Sequence, residues 1–376
     1  MLKSRYEKER EKKMKRDLFV FSGQSNMMGA AVFPPKTEIT LARSFEYKHK
    51  ARRLGAERGD FVSSVYPAGE FSYIDLERAY GADAMDEKGK SLLANYVENT
   101  FFCPAMSNLK SEKEKTLFSF SDFSESTAQD GATLAPFLAR EWERLGRSST
   151  YAHIAKGGVL INYYLTDEMA TEYARRIEDY NERFGTNYET AISLSSRTAG
   201  AAEYFFEKSR DFFADAEARF GKELSGNRCF FWLQGEGDAW RSSVEYETKM
   251  DVLWEALKQS GFTHFFCIRI DYFGEDGIYK IMRAQENFVS RREDAYMLTR
   301  AASYFVYPGQ NEKEWFVSPP PEEYRDCRDS FFGYKNDHIN EKGFLLLAER
   351  AAKNLVRVLV QNEAPVLEEE NIRLLS

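Results

Sequence analysis

The chain has 376 residues and a formal net charge of −8. This length fits one large domain with insertions or two domains, and the negative charge argues against a nucleic-acid partner. Apolar residues make up 43% of the chain, which is ordinary for a globular protein. No apolar run approaches the roughly 18 residues that a membrane span needs.

Cysteine usage and the N-terminal sequence bear on the compartment. The four cysteines are widely scattered, and no pair has metal-ligand spacing, so a disulfide framework is not expected. Residues 1–16 are charged in both signs and do not have the form of a signal peptide. We therefore expect a cytoplasmic protein with a charged N-terminal arm over residues 1–16. The sequence does not indicate the oligomeric state.

Short apolar runs alternate with amphipathic helical patterns along most of the chain. Strands are predicted at 18–21, 151–155, 228–233, 263–270 and 295–302, and helices at 134–146, 201–221, 244–261 and 341–361. This alternation predicts βαβ units in an α/β fold, with a mostly parallel sheet and helices on both faces. We expect a single domain over residues 17–361 and a C-terminal tail over 362–376.

Two stretches do not follow this alternation. Residues 31–130 carry short aromatic segments without clear periodicity, and residues 303–336 are loop-like around the sequence SPPPEEY. Both are too long for ordinary connections, so we expect them to form lids or pocket walls. Aromatic side chains also wall sugar sites, and we expect substrate choice to depend on these stretches.

Short polar or glycine-rich segments follow the predicted strands. GQSNM covers 23–27, KGG covers 156–158, QGEGD covers 234–238, and NDHIN at 336–340 precedes the last helix. The carboxyl ends of parallel strands lie at one edge of a sheet, where ligands bind in α/β folds. The four segments are therefore expected to meet there and to form an active site.

The segments contain the groups that a serine nucleophile requires. A serine hydroxyl needs a base that takes its proton and donors that stabilise an oxyanion. Ser25 follows a strand and is placed to open a helix, and His338 lies in a polar turn. Gly158 can present a backbone N–H, and Gln234 can present a side-chain N–H.

Each of these residues also has a structural interpretation. Ser25 suits a helix N-cap, and Gly157–Gly158 suit a simple turn. Gln234 and Glu236 suit a buried polar network that fixes a strand end. His338 suits a capping or exposed position.

The order of the segments resembles that of a known superfamily. GQSNMMG, the later GG, QGEGD and a late histidine resemble the SGNH hydrolases, and most of all the sialate O-acetylesterase and acetylxylan-esterase-like branch. RAQENF at 283–288 also resembles a helix start of that branch. The resemblance covers residues 17–30 and 134–361 but not 31–130. It implies a flavodoxin-like three-layer αβα sandwich with a long aromatic insertion after the first strand.

The resemblance implies a serine esterase that removes acetyl groups from carbohydrate hydroxyls. No pair of histidines has metal-ligand spacing, and the glycine-containing stretches lack a P-loop or dinucleotide fingerprint, so we expect neither a metal nor a cofactor. Ser25 would be the nucleophile and His338 the base. The oxyanion hole would consist of the Ser25 N–H, Gly158 and Gln234. Four further residues would support this site: Gln24, Asn26, Gly157 and Glu236. The implied partner is an acetylated carbohydrate, and the charge and the short apolar runs lead us to expect no nucleic-acid or membrane partner.

The acid that should orient the histidine departs from the family pattern. The superfamily usually has Asp three residues before the histidine, where this chain has Lys335. Asp337 is the nearest acid, although it also suits the N-cap of the next helix. Glu236 is a second candidate, followed by Asp326 and Asp329. Lys335 favours a carbohydrate-binding protein with weakened catalysis as the alternative, and a sugar O-acyltransferase is a third possibility.

Overall fold

The architecture is a seven-stranded sheet with helices on both faces. It is seen in a computed structural model that describes residues 15–29, 39–47, 61–62, 64–66, 102–103, 133–192, 201–270, 277–304, 338–339 and 341–368. The strands of this sheet are β1 (Arg16–Gly23), β3 (Phe45–Tyr47), β4 (Phe61–Val62), β7 (Ser148–His153), β8 (Leu224–Leu233), β9 (His264–Ile268) and β10 (Ala295–Thr299). The predicted α/β fold is confirmed.

Two small antiparallel pairs accompany the central sheet. Strand β2 (Ile39–Thr40) pairs with β5 (Ser64–Tyr66), and β6 (Phe102–Cys103) pairs with β11 (His338–Ile339). The helices are α1 (Ser25–Met28), α2 (Leu134–Arg144), α3 (Asp167–Phe184), α4 (Ala201–Phe220), α5 (Ser243–Gln259), α6 (Ile278–Ser290) and α7 (Glu341–Val356).

The strand order shows how the sheet is wound. In space the order is β10-β9-β8-β1-β7-β3-β4, and every neighbouring pair is parallel except β3 with β4. The five strands of the alternating region, numbered along the chain, therefore lie in the order 2-1-3-4-5. This is the flavodoxin-like winding, in which the order reverses between the first and third of these strands, here β1 and β8.

The reversal places helices on opposite faces of the sheet. Right-handed crossovers that run in opposite directions along a sheet leave their helices on opposite sides. Helices α2 and α7 pack together on one face, where the ring of Phe19 lies 6.0 Å from that of Trp142. Helices α3 to α6 cover the other face, where the ring centre of Phe230 lies 5.9 Å from that of Phe205 in α4. The result is a three-layer sandwich.

Strand β1 is buried along its whole length. Its neighbours β7 and β8 hydrogen-bond to it on both sides, and the two helical layers cover its faces. A strand in this position needs apolar side chains on both faces, which explains the continuous run LFVF at 18–21.

Several elements differ from the sequence-based predictions. Part of the insertion contributes β3 and β4 to the central sheet. Helix α3 was not predicted, and RAQENF lies inside α6 and does not begin a helix. The C-terminal tail is partly fixed, since Val366 N–H donates to Asn354 Oδ1 at 2.8 Å. Among the helices that the structure describes, none combines the length and apolarity needed to cross a bilayer.

Glycine at position 23 is required by the close approach of β1 and β8. Gly23 has φ of +150°, and a Cβ there would lie 2.0 Å from the carbonyl oxygen of Leu233. We expect Gly23→Ala to lower the free energy of unfolding by about 2 kcal/mol, measured by urea denaturation. Gly185→Ala is the matched control, because Gly185 has φ of +65° with open space around it. It should cost only about 1 kcal/mol, and equal losses would contradict the packing argument.

Candidate active site

The predicted site lies where the strand order reverses, at the carboxyl ends of β1 and β8. Gly23 and Leu233 are register partners at these ends, and Gln24 N–H donates to Leu233 O at 3.0 Å. Ligands of α/β sheets bind in the crevice beyond such a reversal. The segments that follow β1 and β8 are therefore in the expected place for a ligand.

Ser25 is the first residue of the single turn α1. The turn is closed by bonds from Met28 N–H to Gln24 O and from Gly29 N–H to Ser25 O. The first N–H groups of a helical turn have no partner within it, so they are available near the Ser25 hydroxyl. Gln24, which precedes the turn, makes no side-chain cap bond, and Ser25 itself is only 7% exposed.

The turn is held from the side of β7. The carbonyl of Met27 accepts a hydrogen bond from the Thr133 hydroxyl at 2.7 Å and lies 2.6 Å from His153 Nε2. The N–H of Gly157 contacts Met28 Sδ at 3.1 Å. His153 is thus a buried strand histidine that positions the turn of Ser25.

Asn26 connects three elements of the site. Its Oδ1 accepts from Ile339 N–H at 3.0 Å, and its Nδ2 donates to Glu236 Oε1 at 2.9 Å. The backbone of His338, which neighbours Ile339 in β11, is therefore held beside the Ser25 turn. The described part of His338 is its backbone, which pairs with Cys103 of the insertion.

Glu236 lies in the turn that follows β8. Burial raises the pKa of Glu236, and this effect outweighs the opposing hydrogen bond from Asn26. The second carboxyl oxygen, Oε2, is buried and has no hydrogen-bond partner among the described residues. Both observations favour the protonated form, which is a poor choice for the carboxylate that orients an imidazolium.

Gln234 is fully buried within a polar network. Its Nε2 lies 2.7 Å from Asp238 Oδ2, 3.2 Å from Val159 O and 3.3 Å from Gln24 Oε1. Three protein acceptors thus compete for two N–H bonds, and Tyr246 OH contacts Gln234 Oε1 at 2.8 Å. This differs from the expectation that Gln234 donates to an oxyanion, because its amide already fixes Gln24 and Asp238.

The side chain of Gln24 is fixed as well. Its Oε1 accepts from Gly237 N–H at 3.0 Å, so the residue before Ser25 is tied to the turn after β8. A Cβ at Gly237 would lie 3.1 Å from this oxygen. The two central segments of the predicted site therefore lock each other in place.

Gly157 and Gly158 follow β7 on the other side of β1. Lys156 N–H donates to Gly23 O at 3.2 Å, which brings the segment to the same edge of the sheet. Gly158 is exposed and has φ of +68°, with open space where a Cβ would stand. The oxyanion role of Gly158 stays a prediction.

Sequence reasoning missed the residues that support the site from behind. Asp238 accepts from Ile161 N–H at 2.8 Å and from Arg241 Nε at 2.7 Å, and it is fully buried. Asp238 is the last residue of the QGEGD segment, so the sequence did contain an indication of this residue. Nothing in the sequence indicated Arg241 or Lys249, whose positions depend on how α3 and α5 pack.

Lys249 is a buried lysine of α5 next to this cluster. Its ammonium group lies 4.7 Å from the ring centre of Tyr173. Burial, together with the positive charge of Arg241, lowers the pKa of Lys249 to about 8, although nearby carboxylates oppose the shift. Lys249 therefore still carries its charge at neutral pH, but burial makes this charged form less stable in the folded protein than in the unfolded chain.

Replacing Lys249 with methionine should raise the free energy of unfolding by about 2 kcal/mol near neutral pH. The folded-state pKa of about 8 lies below the ordinary value of 10.5, because burial disfavours the charged form. The lysine thus costs most stability below its folded pKa, and this cost disappears as the pH rises toward 10.5. The gain from methionine should shrink over the same interval.

Urea denaturation at about pH 7 and about pH 10 measures this change. Lys258→Met, at an exposed position of the same helix, controls for the added methionine. An equal gain from Lys249→Met at both pH values would contradict the burial argument.

The structure brings together part of the predicted site. The residues that meet at the sheet edge are Gln24, Ser25, Asn26, Gln234, Glu236 and the backbone of His338. Asp337, Lys335, Asp326 and Asp329 lie outside the described residues. Within the described ranges, no group of three His, Cys, Asp or Glu side chains is placed to hold a metal ion.

Comparisons with known proteins do not assign the chain to a family. No family model matches it, and no curated protein matches it. A solved X-ray structure of a protein from Arabidopsis thaliana is similar over 90% of this chain and 97% of that one. The identity is 12% and the TM-score 0.40, a likeness too weak to bear on family or activity.

Proposed function

We propose that the protein is a serine esterase that removes a small acyl group, most simply acetyl, from a carbohydrate hydroxyl. The observation that carries the proposal is the pair of hydrogen bonds made by Asn26. They join the turn of Ser25 to Glu236 and to the strand that contains His338. The sequence resemblance to acetyl esterases supplies the substrate class.

The proposed reaction uses the Ser25 hydroxyl as the nucleophile. His338 takes its proton while the serine oxygen attacks the ester carbonyl. The ester C–O bond then breaks, and the same proton goes to the leaving sugar oxygen, which becomes a hydroxyl. Water cleaves the acyl-serine by the reverse proton transfers. We also propose that the protein acts in the cytoplasm, as expected from its sequence.

The oxyanion would be stabilised by backbone donors. The Ser25 N–H lies in the first turn of α1, and Gly158 N–H is the second donor of the proposal. Gln234 has a different role here, since its amide is engaged by Asp238 and Val159. We assign it to fixing Gln24, which directly precedes the nucleophile.

The proposed mechanism calls for an acid that orients the imidazole of His338. The raised pKa of Glu236, caused by burial, disfavours it as an ionised partner. Asp337, which is adjacent to His338 in the sequence, is therefore our first choice, and a Ser–His dyad is the alternative. Asp337→Asn separates these two mechanisms, because loss of an orienting acid costs about 10⁴-fold in turnover in the template serine protease.

Covalent labelling tests the proposal directly. A fluorophosphonate probe should modify the native protein at Ser25, as located by mass spectrometry of the labelled peptide. The control is Ser22→Ala, since Ser22 is a buried serine of β1, three residues before Ser25, whose hydroxyl donates to Ile154 O at 2.7 Å. That variant should still be labelled. Absence of labelling in the native protein would contradict an activated serine.

The second candidate is a carbohydrate-binding protein on the same scaffold. The observation that favours it is Lys335, which replaces the usual aspartate of the superfamily. A protein that binds an acetylated oligosaccharide but neither reacts with the probe nor hydrolyses the ester would support this candidate. Transfer of acetyl to an added sugar in place of water would instead identify an acyltransferase.

A further inference from the structure

Trp240 differs from the other tryptophans that the structure describes. It is 65% exposed, whereas Trp142, Trp232 and Trp254 are fully buried. A single exposed apolar side chain is ordinary and by itself indicates nothing. Two further observations point to a role in ligand binding: the position of Trp240 and the way its ring is supported.

The loop of Trp240 borders the candidate active site. It directly follows the turn Glu236–Asp238, in which Gly237 N–H donates to Gln24 Oε1. On the other side, the loop packs tightly against the start of α6, where a Cβ on Gly277 would lie 1.7 Å from Ala239 O. The backbone that carries Trp240 is thus held from two sides at the carboxyl edge of the sheet.

A buried ion pair supports the indole ring. The guanidinium carbon of Arg241 lies 4.1 Å from the ring centre of Trp240. Arg241 is only 4% exposed, and its Nε donates to Asp238 Oδ1 at 2.7 Å. Asp238 also accepts from Gln234 Nε2 at 2.7 Å. One face of the ring is therefore backed by a fixed cation, while most of the side chain is open to solvent.

We propose that Trp240 is a stacking platform for a pyranose ring of the substrate, next to the ester that Ser25 attacks. This inference rests on the proposed esterase function. The indole ring offers a rigid, flat apolar surface whose ordering costs little entropy, which suits the apolar C–H face of a sugar. A nucleotide ligand is disfavoured by the net charge of −8.

Substrate preference tests this platform in the full-length protein. The two probes are glucose pentaacetate, which contains a pyranose ring, and ethyl acetate, which contains no ring. We expect Trp240→Ala to lower the ratio of their kcat/KM values, sugar ester over ethyl ester, about tenfold. Trp240→Phe should restore most of the ratio, because a smaller aromatic face remains.

Phe184→Ala is the matched control. Phe184 is also an exposed aromatic residue, with 55% of its surface open to solvent. The guanidinium carbon of Arg183 lies 5.1 Å from its ring centre. Unlike Trp240, Phe184 lies at the end of α3. Its replacement should leave the ratio unchanged. A ratio that is unaffected by Trp240→Ala, or lowered equally by Phe184→Ala, would overturn the platform.

A binding measurement distinguishes a protein without esterase activity from one in which Trp240 does not contact the sugar. If the wild type hydrolyses neither ester, saturation-transfer NMR with glucose pentaacetate measures binding without chemistry. Binding that is lost in Trp240→Ala and kept in Phe184→Ala would support the platform alone. No binding to the wild type, or equal binding to both variants, would overturn it.

Discussion

Ser25→Ala should lower the hydrolysis of 4-nitrophenyl acetate by about 10⁴-fold or more, to the background of the assay. The alanine removes the oxygen that attacks the ester, and nothing else in the turn depends on that oxygen for a helix cap. The Ser25 N–H and the hydrogen bonds that close α1 stay in place. The fold should therefore be retained, and the loss should lie in kcat.

Measurement of kcat and KM for wild type and variant side by side checks this expectation. The thermal unfolding midpoint of Ser25→Ala should equal that of the wild type within a few degrees. Ser22→Ala serves as the control for a lost buried hydroxyl, since its bond to Ile154 O contributes about 1 kcal/mol of stability. Hydrolysis at the wild-type rate by Ser25→Ala would reject the nucleophile and the proposed function with it.

Asn26→Ala should lower kcat by about 10²- to 10³-fold. Its removal leaves Ile339 N–H without the acceptor at 3.0 Å and Glu236 Oε1 without its donor at 2.9 Å. The strand of His338 then loses its hydrogen bond to the turn of Ser25. Displacement of a catalytic group by about 1 Å costs on the order of 10²-fold, which sets the lower bound.

Asn26→Asp divides the two roles of this side chain. An aspartate still accepts from Ile339 N–H, but when ionised it cannot donate to Glu236. Burial has already raised the pKa of Glu236, so a second carboxyl nearby should also be hard to ionise. We therefore expect Asn26→Asp to recover activity, relative to wild type, as the pH falls and the new carboxyl takes up a proton.

Asn181→Ala is the matched control for the asparagine series. The amide of Asn181 is also bonded at both ends, with Nδ2 donating to Tyr188 O at 2.9 Å and Oδ1 accepting from Tyr188 N–H at 2.9 Å. It stabilises the end of α3 and touches no predicted site residue. Its loss should reduce stability and leave kcat unchanged. Similar losses of activity in both alanine variants would show that Asn26 acts only through general stability.

Much of the fold could be predicted because its central strands carry an unambiguous signal. Strand β1 is buried on both faces, so LFVF has no polar residue to obscure the pattern. Helix α3 was missed because most of its residues are polar. Its buried positions, Met169, Tyr173 and Ile177, are four residues apart and were the available signal. Strands β3 and β4 have three and two residues, too few for any period to show.

The candidate site could be predicted as a set of segments but not as a set of contacts. The rule that polar segments meet beyond the carboxyl ends of parallel strands placed Gln24 and Asn26 near Glu236 correctly. It could not show that Gln234 turns its amide toward Val159 O and Asp238. The contact with Val159 depends on the path of the loop after β7, which no residue in QGEGD specifies.

The bond between Asn26 and the strand of His338 also has a consequence for biosynthesis. Ile339 follows Asn26 by 313 residues, so this contact closes a very long loop. Contacts between residues so far apart in sequence form late in folding, because closing the loop costs entropy until the intervening chain is ordered. During translation, Ser25 is therefore synthesised long before the strand that contains His338. A nascent or C-terminally truncated chain would carry Ser25 without a base, so the proposed activity would begin only when translation has passed Ile339.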